Sequence, residues 1–548
     1  MKASLPDLPP IPQIPEAERT PFVEALHGIC LLQSHHIAEQ QKIIVAQQEQ
    51  IQLLREEIQI LKDEIARLKG HKPKPKIRPS NLAKQGSTRP TQGKRPGSTK
   101  RSKLSNLEIH KTVRCAPQNM PPGSKFKRLS RYTVQDIVIE PHNTQYLLEQ
   151  WETPDGESLK GELPTEIKGH HFGPTLRSYI VYQYHHGGVT QPIIKEMLNE
   201  FGIDISTGQI DHILVEGSEA FHNEKDEVLR VGLEVSSYIN VDDTGARHKG
   251  KNGYCTHIGN ELFAWFASTP SKSRVNFLEL LRGGSTDYLL SRAALTYMAE
   301  HKLPQIILPV LKAHEGDWFR DEASWLQFLD ACGLKKSQHV RTATEGALLG
   351  SALSHGLDPE LKIMSDDAGQ FNILRHALCW VHAERTVHKL VGINDDQRIA
   401  IDAKRSEIWE LYAALKGYKA APKPAYKKVL DEYFDKVFTD MTCCSTLNHA
   451  LKRIHKNKAE LLLVLEHPDI PLHNNGSERD IREFVKRRKI SGSTRSDLGR
   501  CCRDTFASLK KTCRKLGVSF WAYLHDRISG SYKIETLPEL IRQKAAEV

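Results

Sequence analysis

Isoleucine recurs at every seventh position between residues 37 and 65, and this repeat constrains the fold more than any other feature of the sequence. In the C-terminal half of the repeat, a leucine stands three residues after each isoleucine. Isoleucine at heptad position a with leucine at position d favours a parallel two-stranded coiled coil. We therefore predict that residues 34–69 form a coiled coil through which the protein self-associates. The alternative is a single amphipathic helix that packs on its own domain.

The positive charge of the chain is concentrated directly after this repeat. Residues 69–103 contain twelve lysines and arginines and no acidic residue, whereas the whole chain has a formal net charge of +10, so the remainder is close to −2. A cationic segment rich in proline and glycine is expected to be disordered and to bind DNA by displacing counterions from phosphates. The alternative is a solvated linker. The candidate DNA-binding residues here are Lys72, Lys74, Lys76, Arg78, Arg89, Lys94, Arg95, Lys100 and Arg101.

The sequence argues against two classes of protein, those that span a membrane and those that are secreted. No run of 18 apolar residues is present, and the first 18 residues lack the basic start and apolar core of a signal peptide. The ten cysteines show no framework of paired spacings, which is typical of reduced thiols. We therefore expect a cytoplasmic protein with no membrane partner.

Between residues 189 and 214 two helical patterns are separated by Gly202, with Ile205 and Ser206 leading into the second. This arrangement is typical of a helix-turn-helix, although an ordinary helical hairpin has the same pattern. DNA binding by this segment therefore stays open at this point.

Two later segments indicate strands that end in acids. Asp242 closes the β-rich run at 236–245, and Asp366 or Asp367 closes the run that begins at Leu361. We place a hairpin turn at 250–253, between the first of these strands and a further strand predicted at 254–260. Strand ends on one sheet bring distant side chains together, and Mg²⁺ prefers oxygen ligands such as carboxylates. The alternative is an acidic turn or helix cap.

A third acid is expected from a helix that crosses the sheet. Glu478 is the candidate, because at helical spacing it shares one face with Asn475 and Arg482. Asn475 and Glu478 also have the spacing of a capping box, which would need no catalysis. Candidate phosphate-binding residues on the same helix are Arg479, Lys486, Arg487, Arg488 and Lys489.

Four motifs together resemble transposases of the insertion sequence 66 family, members of the DDE superfamily. The most specific is the segment 474–489, which reads Asn-Asn-x-x-Glu-Arg-x-x-Arg followed by Arg-Lys. The others are Asp-Asp-Thr at 242–244, the segment 365–371 around Asp366, and Cys-Trp-x-His-x-x-Arg at 379–385. The resemblance covers roughly residues 30 to 530.

The resemblance implies an α/β ribonuclease-H-like catalytic core with helical insertions, preceded by the coiled coil and a helical DNA-binding segment. It implies a DDE-type DNA transposase that cleaves and joins the ends of its own mobile element. The partners would be those element ends, target DNA and accessory proteins encoded by the element. The location would be the bacterial cytoplasm, in association with the nucleoid.

The resemblance also assigns roles to individual residues. Asp242, Asp366 and Glu478 would bind the catalytic ions, Mg²⁺ or Mn²⁺, and the resemblance prefers Asp366 over Asp367. His382 and Arg385 would lie near the site, and Arg479 and Arg482 would neutralise phosphate charge or orient Glu478. Three alternatives remain: a nuclease of the same fold without strand joining, an inactive DNA-binding derivative, and a coiled-coil scaffold.

The sequence departs from the family in three places. The 124 residues from Asp242 to Asp366 are a long spacing, and His473 replaces the Asp that often precedes the Asn pair. The third departure is a missing zinc module. Family members commonly carry a cysteine-rich zinc module before the helical segment, whereas residues 106–165 contain only Cys115, so we predict no zinc ribbon. The predicted domains are a tail (1–33), the coiled coil (34–69), a basic linker (70–105), a small strand-rich module (106–165), a helical segment (166–232), a catalytic core (233–394) with an insertion at about 285–355, a helical insertion (395–470) and the C-terminal helices (471–548).

Overall fold

The computed structural model describes residues 19–68, 107–164, 167 and 169–547. The basic linker predicted at 70–105, with its candidate DNA-binding residues, lies outside the described residues. The first elements are α1 (Pro21–Leu68), β1 (Gln150–Glu152), β2 (Ser158–Lys160), α2 (Pro174–Tyr182), α3 (Gln191–Glu200), α4 (Thr207–Val215) and α5 (Glu219–Val235). Next come β3 (Tyr238–His248), β4 (Lys251–Gly259), β5 (Ala264–Thr269), α6 (Arg274–Leu281), β6 (Tyr288–Leu289), α7 (Arg292–Glu300), α8 (Leu308–Lys312), β7 (Trp318–Phe319), α9 (Glu322–Ala331) and α10 (Ser337–Ser354). The last are β8 (Lys362–Ser365), β9 (Arg375–Leu378), α11 (Trp380–His388), α12 (Asp395–Ala420), α13 (Pro424–Thr439), α14 (Ser445–Lys456), α15 (Lys458–Leu461), α16 (Asn475–Ser491), α17 (Asp497–Leu516), α18 (Phe520–Ile528) and α19 (Leu537–Ala546).

The heptad repeat lies on one uninterrupted helix, α1. The helix begins at Pro21, earlier than the predicted start at 34, because proline fits the first helical turn and the Thr20 hydroxyl accepts a hydrogen bond from the Val23 amide at 3.3 Å. The described a and d isoleucines and leucines from Ile37 to Leu61 are between 40% and 60% exposed. The helix is confirmed, and its self-association stays a prediction.

Of the strands predicted within 106–165, the described residues contain a single hairpin, β1–β2. The two helices predicted around Gly202 are present as α3 and α4. Gly202 adopts a left-handed φ of 79°, and Ser206 and Gln209 form a reciprocal capping box at the start of α4. Ile210 and Leu214 of α4 are buried in the main core.

A mixed five-stranded sheet with the order β5-β4-β3-β8-β9 forms the centre of the molecule. β3, β4 and β5 form an antiparallel meander, and β8 and β9 add parallel to β3. The central strand β3 therefore has an antiparallel neighbour on one side and a parallel neighbour on the other.

The predicted end of β3 at Asp242 is wrong for the pairing of this strand with β4. β3 continues to His248 because it pairs with β4 as far as His248 and Lys251. The turn lies at Lys249 and Gly250 instead of 250–253, and both have positive φ, as a two-residue turn of a twisted hairpin requires. On the β8 side, however, the parallel pairing stops at Asn240, so Asp242 stands just beyond it.

Helix α17 covers the edge of the sheet and pairs with its free backbone groups. The amides of Ala264, Phe266 and Ser268 on β5 donate to side chains of Thr512, Ser508 and Asp504, at 3.2, 2.9 and 2.8 Å. Two strand residues span about 6.6 Å and four helical residues about 6 Å, so the two spacings match. This match protects an edge strand from pairing with another chain.

The predicted insertion at 285–355 belongs to the same hydrophobic core as the sheet. Its helix α10 lies so close to the preceding segment that a Cβ on Gly350 would come within 2.4 Å of the Leu289 carbonyl oxygen. The insertion at 395–470 is helical, as predicted, and α12 to α15 enclose a second core with Trp380 and Phe434. No helix in the described ranges is long and apolar enough to cross a membrane.

Ion pairs tie α16 to α17. Asp480 of α16 lies 2.7 Å from Lys515 of α17, and Glu483 lies 3.0 Å from Lys510. Burial opposes ionisation of both acids. The hydrogen bond with His257 and the charge of Lys515 outweigh it at Asp480 and hold its pKa well below the usual range, and Lys510 and Lys511 hold the pKa of Glu483 at about 2. Burial also lowers the pKa of Lys515.

We expect these two carboxylates to make stability depend on pH. Because folding lowers their pKa, their contribution is complete above about pH 5 and is lost as the pH falls through about 4 toward 2. The double variant Asp480→Asn/Glu483→Gln should have a lower urea midpoint at neutral pH and a smaller fall on acidification. The exposed pair Glu466 with Lys427 provides the control, Glu466→Gln. A double variant that loses stability as steeply as the wild type would contradict this assignment.

Candidate active site

The first turn of α16 is fastened to the central strand by Asn474. This residue is 1% exposed, and its side-chain amide donates to the Val241 carbonyl oxygen at 2.7 Å while accepting from the Asn240 amide at 2.9 Å. Its backbone N–H donates to the Cys379 sulfur at 3.2 Å. The helix therefore begins directly over β3, beside Asp242, and next to the end of β9.

The capping-box interpretation of Asn475 and Glu478 is wrong. The residue that precedes the helix is Asn474, and its side chain makes no capping hydrogen bond because it is bonded to the strand. Glu478 is therefore not held at the helix start and is available to the site.

A second contact between α16 and the sheet lies one turn further on. Ser477 and His257 are both buried, with the serine hydroxyl 2.7 Å from His257 Nδ1, and Nε2 of the same ring lies 3.3 Å from Asp480. His257 is the register partner of Asp242 on β4, so both side chains project from the same face of the sheet. The face that carries Asp242 is therefore the face that α16 covers.

Two of the predicted acids lie on neighbouring strands. Asp242 stands just beyond the end of the β3–β8 pairing, and Asp366 directly follows β8. The pKa of Asp242 is raised to about 7, chiefly by burial and also by the negative charges of Asp366, Asp243 and Glu478, against the hydrogen bond from the Asp243 amide. The charges of the other two predicted carboxylates, Asp366 and Glu478, therefore both act on Asp242.

Hydrogen bonding distinguishes Asp243 from Asp242 and Asp366. Asp243 accepts from the Thr256 hydroxyl with one oxygen and from the Gln370 amide at 2.9 Å with the other. Asp242 accepts the Asp243 amide at 2.7 Å, and Asp366 accepts the Ala368 amide at 3.2 Å, each through Oδ1 only. Within the described part of the chain, the Oδ2 atoms of Asp242 and Asp366 therefore receive no hydrogen bond.

Asp367 is turned toward the helical insertion. It is exposed, and its Oδ1 accepts from the Asn457 amide at 3.3 Å. Asp366, by contrast, is close enough to act on the pKa of Asp242, of Asp243 and of His382. The geometry therefore favours Asp366 as the second acid of the site.

Glu478 contacts the two residues predicted near the site. Its Oε1 lies 3.5 Å from His382 Nε2 and 3.6 Å from the Arg385 guanidinium, which itself lies 3.1 Å from the same imidazole nitrogen. Burial and the charge of Arg385 lower the pKa of His382, against the opposing effect of Asp366 and Glu478. His382 is therefore neutral at physiological pH, and Arg385 supplies the positive charge beside Glu478.

A divalent ion would require oxygen ligands from several of these side chains. Among residues 19–68, 107–164, 167 and 169–547, no three Asp, Glu, His or Cys side chains converge into a metal-binding group. The carboxylates nevertheless offer oxygen ligands, two of them with a free Oδ2, in a field whose repulsion a cation would relieve. The chemistry of the site fits a hard divalent ion, provided that Glu478 turns from His382.

Exposed cations form one face of α16. Arg479, Arg482, Lys486 and Lys489 are exposed and follow the three- and four-residue spacing of a single helical face. Asn475 lies on the first turn of the same helix and is partly buried.

The structure does not bring Arg487 and Arg488 to this face. The Arg487 guanidinium lies 3.8 Å from the centre of the Tyr184 ring, and Arg488 donates to the Gly245 carbonyl oxygen of β3. These two predicted DNA contacts are therefore engaged within the protein, Arg487 with the segment that follows α2 and Arg488 with the sheet.

Sequence reasoning missed the residues that position the acids. Asn240, His257 and Ser477 are buried polar residues with partners across the interface between α16 and the sheet. Their only sequence signal was polarity at positions of apolar strands or on the inner face of a helix. Without the partner strand, that signal does not identify a contact.

We expect Asn474→Ala to loosen α16 from the sheet. The substitution leaves the Val241 carbonyl group and the Asn240 amide buried without their partner, which costs about 1–3 kcal/mol. Urea unfolding measures this loss, and Asn199→Ala, on the exposed side of α3, is the control. A stability equal to that of the wild type would show that Asn474 does not fasten the helix.

A family model described as "Transposase IS66 family" matches residues 357–500, which include Asp366, His382 and Glu478 and end in the first turn of α17. A protein of Sinorhizobium fredii, named as the uncharacterized protein y4jO, is 44% identical over 321 residues. The alignment covers 58% of this chain and 100% of that relative. With its two aspartates on neighbouring strands and its glutamate on the crossing helix, the chain belongs to the IS66 family of transposases.

Proposed function

We propose that the protein is a DDE-type DNA transposase with a ribonuclease-H-like core, which cleaves and joins the ends of an insertion sequence. The observation that carries the proposal is that Asp366, directly after β8, and Glu478, on α16, both act on the pKa of Asp242 on the neighbouring strand β3. The mixed sheet, a three-strand meander with two parallel strands added to it, supports an α/β core.

Asp242, Asp366 and Glu478 would hold Mg²⁺ or Mn²⁺ in this proposal. Ions bound there supply activation of the attacking oxygen and stabilisation of the leaving oxygen during phosphodiester transfer. The free Oδ2 atoms of the two aspartates and the raised pKa of Asp242 support a cation at this position.

The remaining residues of the site orient these acids and bind the substrate. Arg385 and neutral His382 hold Glu478, and the Asp243 carboxylate anchors the strand to Thr256 and Gln370. Arg479 and Arg482 project beside Glu478 and would bind DNA phosphates, with Lys486 and Lys489 extending the contact along the helix.

The partners would be the ends of the mobile element and target DNA, with element-encoded accessory proteins as further candidates. A nuclease of the same fold would share every feature of the site and would differ only in its products. The chemistry must therefore be followed to the joined strand.

We expect Mg²⁺-dependent cleavage and strand transfer on DNA that carries the element's own ends. Asp242→Asn, Asp366→Asn and Glu478→Gln should each lower both rates by several orders of magnitude without weakening DNA binding. Asp367→Asn is the matched control and should retain most of the activity, because Asp367 faces Asn457. Cleavage without a joined product would indicate a nuclease, and wild-type binding without cleavage would indicate an inactive DNA-binding derivative.

Self-association through α1 is supported by how the helix docks. Glu56 at heptad position f is 2% exposed, and its carboxylate accepts the Thr446 amide of α14 at 3.1 Å and the Gln397 side-chain amide of α12 at 3.4 Å. Position f lies opposite the a and d positions on the helix. The helix therefore binds its own chain on one side and leaves the isoleucine seam available to a second copy.

We expect Ile51→Asp/Ile58→Asp to convert the protein to a monomer in sedimentation, because the two charges would lie in the apolar seam. Val45→Asp, at the similarly exposed position b, should leave the assembly unchanged. Equal sedimentation of the wild type and the seam variant would count against the coiled coil. Loss of all DNA binding on deletion of 34–69 would favour a scaffold role, whereas retained nicking would oppose it.

A further inference from the structure

Helix α14 of the helical insertion has one apolar and one cationic face. Leu447, Leu451 and Ile454 are buried in the core of the insertion. Lys452, Arg453 and Lys456 are exposed, and the helix contains no acidic residue. The spacing of the three cations, one and three residues apart, places them on one side of the helix.

This cationic face borders the candidate active site. Arg453 lines the same cleft as His382, Thr386, Asn457 and Asp367. His382 in turn lies 3.5 Å from Glu478. A substrate bound at the acids would therefore extend along α14.

The three cations are not neutralised by the protein. None of them lies within ion-pair distance of a carboxylate among the residues that the structure describes. The nearest acidic residues on α13 are already paired: Asp431 with Lys458 at 2.8 Å, and Asp435 with Lys458 at 2.8 Å and His455 at 2.9 Å. The face is therefore a fixed excess of positive charge.

The helix is also held rigidly. Its apolar side packs in the second core, and its first turn is capped by the buried carboxylate of Glu56 from α1. A cationic surface on a rigid helix loses little conformational entropy when it binds a polyanion.

We propose that Lys452, Arg453 and Lys456 bind the phosphate backbone of DNA next to the scissile phosphate, as a second DNA-binding surface in addition to the exposed face of α16. This inference rests on the proposed function in one respect, namely that DNA is the substrate at the acids. It assigns a role to the helical insertion, which then forms a wall of the substrate cleft.

The test compares three full-length variants in binding to a fluorescent mixed-sequence DNA duplex, without divalent ions, over a range of salt concentrations. The neutral variant is Lys452→Gln/Arg453→Gln/Lys456→Gln. The control, Lys416→Gln/Lys428→Gln/Lys436→Gln, removes the same charge from exposed positions on α12 and α13. The third variant, Lys452→Arg/Arg453→Lys/Lys456→Arg, preserves the charge.

Each phosphate contact contributes about 0.9 to the slope of log affinity against log salt concentration. The neutral variant should therefore lose about 2 to 3 from this slope and bind roughly tenfold or more weakly, while the control changes the slope by less than about 1. The charge-preserving variant should behave as the wild type, and unchanged melting temperatures would show that the variants fold.

Equal slopes for the neutral variant and the control would overturn the proposal. The measurement needs no chemistry, so it is separate from the test of the proposed function. If the wild type binds DNA through α14 but never cleaves it, the DNA-binding surface is supported and the transposase mechanism is contradicted. If the wild type does not bind DNA, both proposals are contradicted.

Discussion

The attachment of α16 to the central strand is the interaction on which the candidate site depends. Asn474 bonds to the Asn240 side chain and the Val241 carbonyl oxygen, the two β3 residues directly before Asp242, and Ser477 contacts His257 one turn later. These contacts place Glu478, which is more than 230 residues from Asp242 in sequence, within its electrostatic range. Without them, two aspartates would remain on the sheet and the third carboxylate would have no fixed position.

Charge is distributed according to the same geometry. Acids converge where the sheet ends and α16 crosses, and burial there makes each negative charge costly to its neighbours. On the opposite face of α16, Asp480 and Glu483 form ion pairs with lysines of α17, and these pairs hold the helix in place. Its outer face is cationic, and α14 supplies a second cationic surface. Acids that repel one another therefore lie beside exposed cations.

The two insertions differ in how they are integrated. The segment 285–355 shares the core of the sheet, and its α10 packs through glycines too close to allow a side chain. The helices at 395–470 form a core of their own, yet they contact the site through Asn457 and the cleft beside His382. Glu56 links the long N-terminal helix to this same insertion. The long N-terminal helix and the candidate site therefore both contact the helical insertion.

Much of the local structure was determined by the sequence alone. The heptad repeat gave the long helix, Gly202 and Ser206 gave the paired helices, and apolar runs that end in acids gave the strands at 238 and 362. Local patterns are sufficient here because each element is specified by its own periodicity, caps and turns. The extent of β3, the engagement of Arg487 and Arg488 inside the protein, and the separation of Asp366 from Asp367 were decided only by the tertiary structure. They depend on which strand or helix lies opposite, and a residue cannot show in sequence whether its partner will be a neighbouring strand, a ring or water.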